Sequence, residues 1–144
     1  MKQTSLLILA MMMVLALAAC GGGTESAHTA SESAALATGE LDLPDTVDVN
    51  TVAEIMDRDD VVLIDVREQN EYDEAHIPGV TLIPLGTVPQ NIDKIPTDKT
   101  VIITCRSGNR SGQATDFLRK NGYDNVHNMA GGINAWKSAG LDVE

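Results

Sequence analysis

A chain of 144 residues with a formal net charge of −11 has room for one ordinary domain. Its surface repels phosphate backbones, which argues against nucleic acid as a partner. Hydrophobic residues make up 43% of the chain but aromatic ones only 3%, so a globular core is available and has to be built from Val, Ile, Leu and Ala.

Lys2 gives a short positive start, and Leu6 to Leu17 is almost purely apolar. That run is shorter than the roughly 20 residues that span a bilayer and has the length of a signal-peptide apolar region. It ends in Leu17-Ala18-Ala19-Cys20-Gly21, which resembles the lipobox of bacterial lipoproteins. The resemblance implies cleavage before Cys20 and acylation of Cys20 with palmitate-type chains. Residues 1–19 are thus expected to be a lipoprotein signal peptide. Each buried methylene contributes ~0.8 kcal/mol of membrane affinity, and two or more chains anchor stably. From Gly21 to about Gly39 the residues are small and polar and cannot bury enough apolar surface to fold. Residues 20–43 are therefore read as the lipidated Cys and a flexible linker, with His28 a solvated tail residue. The protein is expected to be exported and held to a bacterial membrane through lipid on Cys20, on the periplasmic side. Gly21 in place of Asp favours the outer membrane in a Gram-negative cell.

The folded part is placed at residues 44–144. Val47-Asp48-Val49 is a strand candidate, and Asn50 looks like the N-cap of a helix over 51–56. Val61 to Val66 is a largely apolar run rich in β-branched residues, as in a strand buried on both faces. Glu68 to Glu74 suits a short helix, Thr81 to Pro84 a brief strand, and Val88 to Ile95 another short helix. Thr100 to Thr104 is a second strongly buried strand. The helix after it carries Ala114, Phe117 and Leu118 at core spacing and stops at Gly122. Asn125-Val126-His127 is a last strand and Gly132 to Ser138 a last helix. Strands separated by helices predict an α/β fold with a mostly parallel sheet covered on both faces. In such sheets the site lies beyond the carboxyl ends of the strands. Asp65-Val66-Arg67 and Cys105-Arg106 follow the two most buried strands, so one crevice can hold both.

The chemistry is concentrated in Thr104-Cys105-Arg106-Ser107-Gly108-Asn109-Arg110-Ser111. Amides of a short Gly-containing loop can point inward and form an anion nest. The helix that follows adds its positive end, worth ~0.3–1 kcal/mol, or about 2 when partly buried. With two arginines on the same loop, the thiol of Cys105 is expected to ionise more easily than usual and to act as a nucleophile. Neither Cys20 nor Cys105 has a partner at metal-binding spacing, and no metal or cofactor is expected.

Leu63-Ile64-Asp65-Val66-Arg67-Glu68, Glu71-Tyr72, His76-Ile77-Pro78-Gly79-Val80, Cys105 to Ser111, and Ala130-Gly131-Gly132 with Trp136 occur in one order. In that order they resemble a single-domain rhodanese over nearly all of residues 46–144. One departure is Ala75, where the family commonly has Gly before the His. The resemblance implies a rhodanese-like fold with a central, mostly parallel five-stranded sheet and helices on both faces. It also implies a ping-pong reaction. Cys105 takes the outer sulfur of a small anionic donor such as thiosulfate, holds it as a persulfide cradled by the amides of Arg106, Ser107, Gly108, Asn109, Arg110 and Ser111, and passes it to cyanide or a thiol. Arg106 and Arg110 attract the donor and stabilise the departing sulfite, although Arg110 can instead brace the loop. Asp65 and Arg67 are supporting residues, Arg67 pairing with Glu71 or another carboxylate. His76 is read as a turn anchor, Gly131-Gly132 as a point of close approach, Trp136 as core, and His127 as a strand-end or surface residue.

Two other readings compete with sulfur transfer. Cysteine phosphatases occur on related folds with a loop one residue longer than the four residues that separate Cys105 from Arg110 here. A shorter loop makes a tighter ring of amides, suited to a single sulfur. Rhodanese-like domains also serve as non-catalytic binding modules, but inactive ones usually lack the cysteine. If Cys20 is lipidated, Cys105 is the only free thiol, so an outside acceptor must discharge it. A monomer is expected.

Overall fold

The computed structural model describes residues 41–144. The apolar run, Cys20, His28 and the first part of the linker lie outside the described residues. In chain order the elements are β1 (Thr46–Val47), α1 (Val49–Ile55), β2 (Val61–Asp65), α2 (Gln69–Glu74), β3 (Thr81–Leu82), β4 (Thr100–Thr104), α3 (Asn109–Lys120), β5 (Val126–Met129) and α4 (Gly132–Ser138). Between β3 and β4 the chain forms two 3-10 turns, Leu85–Gln90 and Ile92–Lys94, where the sequence predicts one helix over 88–95. Pro89 within the first turn lacks the amide a regular helix needs there.

The five strands form one sheet in the order β1-β5-β4-β2-β3. Every pairing is parallel, so the expectation of a mostly parallel sheet is sharpened to an all-parallel one. The two β-branched runs sit side by side at the centre, paired from Val61↔Thr100 to Asp65↔Thr104. Because successive residues of a strand face opposite ways, the centre serves two cores. Val61, Leu63 and Ile102 join Val52, Ile55, Ile133 and Trp136 on one face. Ile64, Val66, Val101, Ile103 and Cys105 join Ala114 and Leu118 on the other. Full burial of each such aliphatic side chain stabilises the fold by about 1.5–3 kcal/mol.

The start of α1 corrects the sequence reading. Asp48, not Asn50, is the cap; its carboxylate accepts from the amides of Asn50 at 3.0 Å and Thr51 at 3.2 Å. Asn50 is already helical, and β1 ends at Val47. An acidic side chain takes both orphan amides better than the neutral amide two positions later. Glu68 caps α2 through a reciprocal box with Glu71.

A parallel sheet sends all its loops of one kind to one edge. Asp65 and Thr104 end neighbouring strands, so the loops after β2 and β4 leave the sheet side by side. At the opposite edge, Leu41, Asp42 and Leu43 line a hollow with Asp60, Lys99, Asn125 and His127. His127 is inside β5 and 9% exposed, with Nδ1 2.8 Å from the carbonyl oxygen of Pro44. Of the two readings given to it, strand-end or surface residue, the burial rules out the second: it fastens the incoming chain to the sheet.

Candidate active site

β4 carries the chain into the site on the face where Val101 and Ile103 point, and Cys105 continues that alternation, 1% exposed. Burial alone pushes a thiol toward its neutral form. Here hydrogen bonds outweigh it. The Gly108 amide donates to the Cys105 Sγ at 3.2 Å and the Ser111 hydroxyl donates to it at 3.3 Å. Desolvation raises the pKa of Cys105, while the Ser111 hydroxyl and the amides of Ser111, Ser107 and Gly108 lower it, and the result is below the ordinary value. Of the loop amides expected to face inward, those of Ser107, Gly108 and Ser111 act on the sulfur.

The loop keeps its shape because α4 grips its outside. The Ile133 amide donates to the Cys105 carbonyl at 2.8 Å and the Asn134 amide to the Arg106 carbonyl at 3.1 Å. With these carbonyls held outward, the amides of the next residues are free to turn in. Such a close approach requires Gly132. Its φ is +56°, and a Cβ there would run into the Cys105 carbonyl oxygen and lie 2.7 Å from the Arg106 carbonyl carbon and 2.8 Å from the Ser107 nitrogen. Gly108, at φ +91°, makes the turn into α3.

The arginines divide into occupied and open. Arg67 is 4% exposed and closes a ring with Asp65, which is 2% exposed. Its amide donates to Oδ1 at 2.9 Å and its Nε to Oδ2 at 2.7 Å. Its remaining nitrogens donate to the carbonyls of Glu71 at 3.0 Å and Ala75 at 2.8 Å. Of the two partners predicted for Arg67, it takes the other carboxylate, and it meets Glu71 only through the backbone. The Glu71 side chain is held by Arg110 in a fork of 2.6 and 2.8 Å. That contact, with the Glu68 amide in support, drops the Glu71 carboxyl to about 2. A depressed carboxyl stabilises the fold fully above its ordinary value of 4.5 and loses that contribution only as pH falls through about 2. The brace is thus present at neutral pH. Arg106 is exposed and lines a hollow with Arg67, Glu71, Glu74, Ala75, Ile133, Asn134 and Lys137.

The other predicted positions fall into place around this frame. Ser107 and Asn109 are exposed, and the Asn109 side chain accepts from Gln113 at 3.2 Å; Ser107 acts on the sulfur through its amide. His76 stacks on Tyr72 with ring centroids 3.9 Å apart and bonds the Tyr72 carbonyl at 3.0 Å, as a turn anchor does. Ala75 is extended, with φ −173°, a conformation any residue adopts, so the departure from Gly costs the turn nothing. Trp136 is buried and its indole donates to Asp142 at 2.8 Å. Two contributions escape the sequence reading: the hydroxyl of Ser111 as a donor to the sulfur, and Glu71 as the clamp on Arg110. The first was signalled by a serine on the first turn of the helix after the loop; the second spans 39 positions and has no local signal.

Residues 48–139 match the rhodanese-like domain family. A protein named sulfurtransferase from Allochromatium vinosum is 40% identical over 89 residues, which are 62% of this chain and 83% of that protein. A thiosulfate sulfurtransferase, GlpE, from Pseudoalteromonas translucida is 31% identical over 65% of this chain and 89% of its own. Among solved structures, a rhodanese-related protein of Thermoplasma volcanium superposes with a TM-score of 0.65 at 27% identity, covering 70% of this chain and 98% of that one. The parallel sheet, the cysteine loop at its carboxyl edge and these relatives converge: the chain belongs to the rhodanese-like family.

Proposed function

We propose that this domain is a sulfurtransferase that carries sulfane sulfur as a persulfide on Cys105. The observation that carries the reading is the set of donors converging on the Cys105 Sγ, which hold its thiol below the ordinary range despite burial. In the first half-reaction the thiolate attacks the outer sulfur of thiosulfate or a similar anion. The S–S bond of the donor breaks, a new one forms on Cys105, and sulfite leaves with the electron pair. In the second, cyanide or a thiolate attacks the terminal sulfur, and Cys105 is released as a thiolate. The loop donors that hold one anion hold the other, so both halves use the same pre-aligned groups. Burial of Cys105 to 1% favours a small donor that presents its sulfur end-on.

The names of the relatives from Allochromatium vinosum and Pseudoalteromonas translucida support this reading over a non-catalytic module. The short loop supports it over a phosphatase, since its amides close on a single sulfur. Export and attachment to a membrane through lipid on Cys20 belong to the same proposal and rest on the apolar run and the Leu17 to Gly21 segment.

The test is mass spectrometry of the thiosulfate-treated protein. Cys105 gains one sulfur atom, and cyanide removes it as thiocyanate. Cys105→Ser loses all turnover while keeping its fold by circular dichroism. Turnover retained by that variant refutes the mechanism, and hydrolysis of an aryl phosphate in place of sulfur transfer would establish the phosphatase reading.

A further inference from the structure

The resemblance assigns donor binding to both loop arginines, yet one of them is taken. Arg110 is forked onto Glu71, and Arg67 is closed onto Asp65. Among the described residues, two cations at the hollow beside the loop have no ion pair: Arg106 and Lys137. Lys137 comes from α4, one turn beyond Ile133, the residue whose amide holds the Cys105 carbonyl. The grip of α4 on the loop therefore fixes where Lys137 stands relative to the sulfur. Glu74, from α2, lines the same hollow and also lacks an ion pair. With Glu71 and Asp65 neutralised by their arginines, the open charge of the hollow comes from Arg106, Lys137 and Glu74.

We propose that Lys137 is a specificity residue that, with Arg106, selects doubly charged sulfur donors, with Glu74 opposing them. The inference rests on the sulfurtransferase reading above and adds the charge class of the donor. An ion with two negative charges gains about twice as much from each cation as one with a single charge. Glu74 prevents the hollow from becoming indiscriminately attractive to anions.

Two donors with the same reacting atom separate the charges. Thiosulfate is a dianion and releases sulfite. An alkanethiosulfonate is a monoanion and releases a sulfinate, by the same cleavage of its S–S bond and the same new S–S bond on Cys105. Initial rates with cyanide as acceptor give KM and kcat for each. In Lys137→Gln, the KM for thiosulfate is expected to rise about threefold to fivefold, and that for the thiosulfonate less than twofold, as suits exposed charges. The kcat values stay within about twofold, Lys137→Arg restores the thiosulfate KM, and Glu74→Gln lowers it. The preference fades in high salt, where exposed charges are screened. A Lys137→Gln enzyme with the wild-type ratio of the two KM values overturns the proposal while leaving the persulfide reading intact. Failure of wild-type protein to acquire sulfur on Cys105 from either donor overturns both.

Discussion

The loops after β2 and β4 begin at the same level of the sheet, on adjacent strands, and both carry an arginine within a few residues of a buried end. After β2, the charged groups satisfy one another: Asp65 takes the amide and Nε of Arg67, and the other Arg67 nitrogens tie down two carbonyls of the α2 region. After β4, backbone and hydroxyl donors converge on a sulfur that has no cation within hydrogen-bond distance among the described residues, and Arg106 stays exposed. Position in the fold is nearly equivalent, so position does not decide which loop is left with open binding capacity. A loop becomes a site when its donors are aligned but left with capacity for a charge that arrives. A loop whose donors are all matched from within is a strut.

The contrast can be broken first at the strut. Asp65→Ala leaves a buried guanidinium without its carboxylate, and removal of one member of a buried pair costs about 3–5 kcal/mol. Urea denaturation should show that loss. A change under 1 kcal/mol would mean the ring is not what holds α2 to the sheet. The second test attacks the grip on the reactive loop. Gly132→Ala forces a methyl group against the Cys105 carbonyl, and adjusting a well-packed contact costs about 1–3 kcal/mol. Sulfur transfer should fall more than stability does, because the amides that face Cys105 move with the displaced carbonyls. Equal rates for variant and wild type would show that α4 does not set the loop.

The smallest change sharpens the comparison most. Ser111→Ala removes one donor from the sulfur, and a hydrogen bond to an ionised group is worth about 1.5–3 kcal/mol. With roughly 1.4 kcal/mol per pKa unit, the pH midpoint of iodoacetamide alkylation of Cys105 should move up by about one to two units. The sign follows from the lowered thiol: its thiolate stabilises the fold above the pKa of an unfolded cysteine, and that contribution is lost as pH falls through the lower folded value. An unmoved midpoint would place control of the sulfur elsewhere than the loop donors.

The centre of this architecture was readable from residues alone. The run Val61 to Val66 is rich in β-branched residues and Thr100 to Thr104 consists of them, and they become neighbouring strands in the middle of the sheet. The Cys105 to Ser111 segment could be read as a turn of inward amides because Gly and Ser follow a buried strand end, and the Gly108 amide does meet the sulfur. The losses occur where a local signal competes with a neighbour. Asp48 outbids Asn50 as cap because charge counts at a helix start. The stretch from Leu85 to Lys94 holds a proline and becomes two tight turns. The partners of Arg67 and Arg110 depended on contacts across the fold: both segments were visible, but not that Glu71 would offer its carboxylate to one arginine and its backbone to the other.

The attachment at Pro44 has a geometric consequence. Leu41 and Leu43 share their hollow with residues that precede β2, β4 and β5, whereas Cys105 follows β4. The segment from residue 41 thus joins the sheet at one pole, and the Cys105 loop leaves it at the other. Anything that tugs on residue 41 pulls along an axis pointing away from the reactive mouth. A domain tethered from that end would present its sulfur to whatever diffuses past, not to the surface that holds it.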